Sequence, residues 1–274
     1  MTQQTRFDSQ MRPVMPLTDY EYDRPIRIGM IPDTHNDPDH RAESLKVMRA
    51  VGQLFKDEEV DVVVHIGDFN DLGSLSSYDK NTRSFEGRRL NRDLRFSRDC
   101  LDTFNNAFGS NSGADKYITL GNHEERLFRL YNDHAELHGI MGDDPFGYEE
   151  YGFESHAFLS MLGLNDVLFS HYFTNPNSIM GGVVSGTMDN CLKNLGHSFV
   201  MGHQQVFKAG QMHRGNGRID CGLVAGACYI PDHAYKGPQG NSHWKGCIIL
   251  DNVDDGYFDL HTYGLKSLIR RYYG

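Results

Sequence analysis

Five short apolar runs, each closing in a turn rich in carboxylate, amide or imidazole side chains, constrain this chain more than any other feature. They read RIGMIPDTH (27–35), VVVHIGDFND (62–71), YITLGNHE (117–124), VLFSHY (167–172) and FVMGHQQ (199–205). Runs of this length, rich in β-branched residues and bounded by Gly or Pro, suit strands, and the VVVHI type suits strands buried on both faces. The polar residues at their ends are Asp33 with His35, Asp68 with Asp71, Asn122 with His123, then His171 and His203. From Asp33 through Asp68, Asn122 and His171 to His203 the intervals are 35, 54, 49 and 32 residues. Each suits one supersecondary unit that returns the chain to the same sheet edge. A lone Asp-x-His, or a lone His after a strand, says little; the ordered set says much more.

Such a set matches the needs of a hydrolytic dinuclear centre. Two cations need carboxylates to neutralise them, one group shared between them and imidazoles to complete each shell. Held roughly 3.5–4 Å apart, they grip a phosphoryl group and lower the pKa of a bound water. Strand-end turns are suited to the task because the sheet fixes the backbone while short loops aim side chains at one place.

The rest of the chain is compatible with one large core. It has 274 residues, 39% of them hydrophobic and 23% charged, as in ordinary globular proteins. No apolar run reaches the roughly 20 residues of a membrane span, and the polar N-terminus has no signal-like apolar stretch, so a cytoplasmic protein is expected. The net charge of −10 argues against a general nucleic-acid coat but leaves room for a local basic groove. Five cysteines without Cys-x-x-Cys spacing predict reduced, buried thiols rather than disulfides or a zinc knot. A purely structural metal site is disfavoured too, because such sites prefer closed Cys and His sets.

Periodicity predicts an N-terminal extension over 1–24 and one domain over 25–274. Strands are expected at 26–33, 60–68, 116–123 and 197–203, with two more around the GLND turn within 156–172. Helices are expected near 41–56 and 178–194, and the segment 206–264 is expected to be mainly β. The connection 72–115 reads as a helical insertion with Leu90, Leu94, Leu101, Phe104 and Phe108 on one face and Arg88, Arg92 and Arg95 on the other.

The blocks DTH, GDFND, GNHE, SHY and GHQQ together resemble the calcineurin-like metallophosphoesterase superfamily, over residues 26–205. The resemblance implies an α/β (α+β) fold of two facing mixed β-sheets flanked by helices, with a dinuclear site at strand ends. It implies that Asp33 and His35 ligate the first metal, that Asp68 bridges both, and that Asn122, His171 and His203 ligate the second. It further implies that His123 stands at the leaving-group oxygen as a proton donor or charge stabiliser, oriented by Asp71. The expected cofactors are two divalent metal ions, manganese first, with iron, zinc, nickel or magnesium as alternatives. A metal-bridging hydroxide would attack phosphorus in line, with no covalent phosphoenzyme.

One block departs from the family pattern. It reads Gly-His-x-His in the family, and Gln205 stands here in place of the second histidine. A neutral amide oxygen is a weaker donor than imidazole and favours harder ions such as Mn²⁺ or Mg²⁺. Gln205 is therefore either a loose ligand, or is replaced by another residue (His213 is the nearest downstream histidine), or marks an empty first site. In the last case the chain would be a metal-compromised homologue that binds a nucleotide or partner.

The substrate signals are thinner. Leu72 stands where the phosphoprotein phosphatase branch carries a phosphate-gripping arginine, which points away from phosphoproteins. Arg126 and Arg129 follow the GNHE turn, and Lys80 with six arginines fills 80–98 against Glu86 and Asp93. These suggest a nucleotide or nucleic-acid phosphodiester. Tyr229, Tyr235 and Trp244 are candidates for base stacking or ordinary packing, and the segment 222–250 is similar to that of phage-encoded members.

Overall fold

The computed structural model describes residues 17–77, 80–109, 112–137, 139–140, 142–179, 181–232, 241 and 243–274. Two six-stranded mixed sheets face one another. The first contains β2 (Ile26–Ile31), β3 (Val62–His65), β4 (Asp115–Thr119), β5 (Glu154–His156), β11 (Gly246–Asp254) and β12 (Tyr257–Gly264), in the order β12-β11-β2-β3-β4-β5. The second contains β1 (Leu17–Tyr20), β6 (Met161–Leu164), β7 (Val167–Ser170), β8 (Ser198–Met201), β9 (Phe207–His213) and β10 (Ile219–Ala225), in the order β1-β6-β7-β8-β10-β9.

Alternation along the central strands divides the interior. Ile28, Met30, Val62 and Val64 turn toward Leu162, Phe169, Val200 and Leu223 of the other sheet and make the inter-sheet core. Ile31 and Val63 turn the opposite way, onto helices α1 (Arg41–Asp57) and α2 (Leu90–Phe108). A third cluster sits outside the second sheet, where Met188, Cys191 and Leu192 of α4 (Met188–Leu195) pack on Phe199 and Val224. Helix α3 (Glu125–Asp133) follows β4 after one turn, and α5 (Leu265–Tyr273) closes the chain on the α1 side. Strands β2, β3 and β4 pair in parallel, as do β7 and β8, so their C-terminal turns open toward one region. In open α/β sheets that region is where ligands bind. All five cysteines are buried and unpaired. Among the described residues no helix is long and apolar enough to cross a membrane.

Three elements depart from the sequence expectation. The extension expected over 1–24 ends earlier, because Leu17–Tyr20 pair in parallel with Met161–Leu164; the residues before Leu17 lie outside the described residues. The helix expected from 178 begins ten residues later. Gly181 and Gly186 hold φ of +63° and +100°, and the first helical cap is the Thr187 side chain, which accepts from the Asn190 N–H. Helix α5 was not anticipated, since its apolar positions Leu265 and Leu268 belong to a short amphipathic segment at the chain end.

The buried side chain of Asn165 welds β1 to the body. Its Oδ1 accepts from the Tyr22 N–H, while its Nδ2 donates to the carbonyls of Arg24 and Val253. At φ +45° it also occupies a backbone region that asparagine tolerates better than alanine. Asn165→Ala should therefore lower the unfolding free energy by about 2–4 kcal/mol, since it orphans three main-chain groups at a strained turn. The shift of the urea midpoint measures it, and a loss below about 1 kcal/mol would show that water takes over those bonds.

Candidate metal centre

The C-terminal turns of β2, β3, β4, β7 and β8 bring Asp33, His35, Asp68, Asp71, Asn122, His123, His171 and His203 together. Asp33 and Asp68 are 0% and 2% exposed. The imidazole Nε2 atoms of His171 and His35 lie 3.4 and 3.7 Å from Asp68 Oδ2, and that of His123 lies 3.9 Å away. His35 Nε2 is 3.9 Å from Asp33 Oδ2. Asn122 Oδ1 meets His203 Nδ1 at 2.8 Å and His171 Nε2 at 3.1 Å. Among the described residues two groups could each hold a cation, His35–Asp68–His123 and Asp68–His171–His203, and they share Asp68.

Main-chain groups aim these side chains. Asp68 Oδ1 accepts from the His123 N–H at 2.9 Å, which leaves Oδ2 for the imidazoles. Both oxygens of Asp33 accept from the His203 N–H. His171 Nδ1 donates to the Ile66 carbonyl at 2.9 Å, which turns its Nε2 inward. Close approach requires glycine at two turns, because a Cβ on Gly121 would overlap Asp68 Oδ1 and one on Gly202 would overlap Asp33 Oδ1. His35, Asp68, Leu72, His203 and Gln205 all hold φ between +42° and +62°. Such conformations cost non-glycine residues on the order of 1 kcal/mol each and cluster at functional sites.

The buried charges are set against each other. Burial raises Asp33 to about 6, with His171 opposing it. Burial also opposes ionisation of Asp68, yet His171 and His123 hold it well below its ordinary range. Burial would lower His171, but Asp68 outweighs it and lifts the ring to about 9. His203 falls to about 4 through burial and the nearby His171, and His123 falls to about 4 through burial, with Arg126 adding to the fall.

The contacts of Asp71 divide its expected role. His123 Nδ1 donates to the Asp71 main-chain carbonyl at 2.7 Å, not to its carboxylate. Asp71 Oδ1 lies 3.7 Å from both His123 Nδ1 and His35 Nδ1. The carboxylate thus serves His35 as much as His123. At its other nitrogen, His123 faces Arg126 Nη2 at 3.0 Å, and Arg126 Nη1 donates to the Asp71 carbonyl. The His123 ring here accepts at Nε2 and is neutral.

Gln205 contacts His35 of the first of the two cation-holding groups. Its Nε2 donates to His35 Nε2 at 2.7 Å, and its Oε1 accepts from the Tyr229 hydroxyl at 3.0 Å. His213 does not substitute for it, because it stands exposed at the far end of β9, paired with Ile219. Three arginines of the basic stretch 80–98 are engaged within the protein. Arg88 pairs with Asp37 and Asp39, Arg92 pairs with Asp39, and Arg98 reaches Glu150 and the carbonyls of Asp144 and Pro145. Trp244 packs on Phe207 with ring centroids 4.9 Å apart, a packing role, while Tyr235 lies outside the described residues.

Two features escaped sequence reasoning. Glu124, 0% exposed, accepts from the N–H groups of Asp68, Asn70 and Gly121 and clamps two turns together. Its position directly after Asn122 and His123 was the available signal. Tyr229 and His243 were not tied to the centre because each comes from a distant loop.

Residues 26–222 match the model of the calcineurin-like phosphoesterase family. No curated protein matches the chain. A dimetal phosphatase from Danio rerio is 13% identical, with 89% of this chain and 97% of that chain covered at a TM-score of 0.45. Yfce, a phosphoesterase from E. coli, is likewise 13% identical, with 88% and 100% covered at a TM-score of 0.39.

The glycine requirement gives a test of the geometry. Gly121→Ala should weaken divalent-cation uptake by about 10–100-fold, the usual effect of disturbing the groups around a ligand. Calorimetric titration measures this, with far-UV circular dichroism as the check that the sheets persist. Undiminished uptake by a folded variant would mean that Asp68 is not part of the centre.

Proposed function

The chain belongs to the calcineurin-like phosphoesterase family, and we propose that this metal-dependent phosphoesterase acts on nucleotide or nucleic-acid phosphodiesters rather than on phosphoproteins. The observation that carries the proposal is the sharing of Asp68 by two cation-holding groups. The donor set fits a pair of divalent ions: two buried carboxylates and an amide oxygen, with imidazole nitrogens converging from separate strands. In this reading Asp33, His35, Asp68 and Gln205 hold the first cation, and Asp68, Asn122, His171 and His203 hold the second. When bound, such a pair supplies Lewis acidity toward the phosphoryl oxygens and lowers the pKa of water.

His123 is not counted as a ligand here, although its Nε2 falls within reach of Asp68. The Arg126 guanidinium directed at that nitrogen opposes a second cation there. Arg126 is instead the group that binds the phosphate, because a guanidinium pairs with two phosphoryl oxygens at once. An arriving phosphodiester draws Arg126 away from His123 and puts negative charge beside the ring. That charge raises the ring's proton affinity, so His123 can carry a proton to the departing oxygen. Asp71 steadies both His35 and His123 through its carboxylate and carbonyl.

The preference for diesters has two supports. Leu72 is 1% exposed and packed in the core, so this turn offers no cationic side chain to a phosphomonoester. Arg129 is exposed one helical turn from Arg126 and its charge reaches Tyr172, whose ring lies 4.7 Å from that of His203. A cation and an aromatic face beside the phosphate suit a nucleoside better than a phosphoserine. With a hard amide oxygen at Gln205, manganese is the favoured ion. We further assign the enzyme to the cytoplasm.

Hydrolysis of bis-p-nitrophenyl phosphate, its monoester, cyclic nucleotides, dinucleotides and single-stranded DNA with added Mn²⁺ tests the reading. Diesters should exceed monoesters in kcat/KM. His123→Ala should cut kcat by about 10²–10⁴-fold, the usual share of a positioned proton donor. Arg126→Ala should act mainly on KM. The contact between Gln205 and His35 favours one alternative, a metal-compromised homologue that binds nucleotides or a partner. Absence of turnover with every divalent ion would select it.

A further inference from the structure

Gln205 belongs to an ordered chain of side-chain hydrogen bonds that begins outside the centre. His243 Nε2 lies 3.1 Å from the Tyr229 hydroxyl. That hydroxyl donates to Gln205 Oε1 at 3.0 Å, and Gln205 Nε2 donates to His35 Nε2 at 2.7 Å. Because the hydroxyl proton is given to Gln205, His243 Nε2 must donate to the tyrosine oxygen. His35 Nδ1 faces Asp71 Oδ1 at 3.7 Å. Donation therefore runs in one direction, from His243 through Tyr229 and Gln205 to His35.

Tyr229 is held in place independently of these bonds. The ring is 5% exposed and edge-on to both His35 and His243, with centroids 5.6 and 5.7 Å apart. Lys245 Nζ lies 4.7 Å from its centroid. The preceding residue, Cys228, donates its N–H to the Asp33 carbonyl at 2.8 Å. The hydroxyl is thus registered to the same backbone that carries Asp33.

A hydroxyl and an imidazole can each give or accept one proton at a given bond. If the Gln205 amide turns over, its Oε1 faces His35 and the interior while its Nε2 donates to the Tyr229 oxygen. The Tyr229 proton then goes to His243 Nε2, whose own proton moves to the other ring nitrogen. The bond between Gln205 and Tyr229 is kept in both settings, whereas in the second Gln205 Oε1 and His35 Nε2 both present lone pairs, an arrangement that suits a cation between them. No fixed donor or fixed acceptor at position 229 would allow both settings.

We propose that Tyr229, backed by His243, is a positioning residue that turns and holds the Gln205 amide so its carbonyl oxygen serves as the ligand replacing an imidazole at the first cation. The inference deepens the two-cation reading given above and rests on it. It makes Gln205 a working part of the site, matched to a hard divalent ion by a partner that recognises both amide orientations.

Titration of the metal-free full chain with Mn²⁺, followed by electron paramagnetic resonance of the free ion, tests it without reference to turnover. The natural chain should bind two ions, one more loosely. Tyr229→Phe should weaken the looser site by about 10–100-fold and leave the tighter one unmoved. In a Gln205→His background the same Tyr229→Phe change should move neither site more than about twofold, because no amide remains to be oriented. Equal weakening in both backgrounds would make Tyr229 a packing residue only, and no weakening in either would remove it from the site; both overturn the inference. If neither the natural chain nor Gln205→His takes up a second ion, the two-cation reading itself falls, an outcome distinct from two-ion binding that ignores Tyr229.

Discussion

A single buried carboxylate holds the functional end of this fold together. Glu124 receives main-chain N–H bonds from Asp68, Asn70 and Gly121, so the turns after β3 and β4 cannot separate without stranding an anion away from water. Burial raises its pKa, with the Asp68 charge adding to the rise, while the bonds donated by the Asn70 and Gly121 N–H groups and the nearby His171 favour the charged form. An unpaired buried charge is so unfavourable that the two turns behave as one unit. Asp68 lies inside that unit, and its side chain is the group common to both candidate cation positions.

The remaining order follows from placing like charges close together. Asp33 and Asp68 sit in the same dry region, which lifts Asp33 toward protonation while the surrounding imidazoles keep Asp68 ionised. Backbone strain at His35, Asp68 and His203 accompanies this crowding, since all three hold left-handed φ in the turns where their side chains meet. Two six-stranded sheets with a fully buried interface resist that strain. A folded body with fewer inward contacts would relax it and let the ligand atoms drift apart.

The arginines divide by partner rather than by position in the chain. Arg88, just before α2, and Arg92 and Arg98 within it fold back onto Asp37, Asp39 and the loop around Asp144, where they brace the insertion. Arg126, from a helix one turn beyond Gly121, is the guanidinium that reaches the His123 ring. Local charge density in the sequence pointed to the first group, whereas the contact with His123 belongs to the second. A guanidinium's role is decided by which carboxylate it can reach, and those of Arg88, Arg92 and Arg98 lie 51–53 residues away in the chain.

Strand ends, turn glycines and their polar residues were legible in the sequence because they are local. Apolar runs encode β2, β3, β4, β7 and β8, and the residues that follow each run project from its turn whatever the rest of the chain does. The family resemblance added the ligand order. Helix α4 and strand β1 were misjudged where short segments owe their form to caps and neighbouring strands. The bond from Gln205 to His35 spans 170 residues, and Tyr229 approaches Gln205 from a separate loop. The sequence alone therefore determined that five turns carry metal-type side chains, and the departure from histidine at position 205. Only the tertiary structure decided which atoms face one another there, since a hydrogen bond depends on distance and angle, which packing sets and spacing along the chain does not.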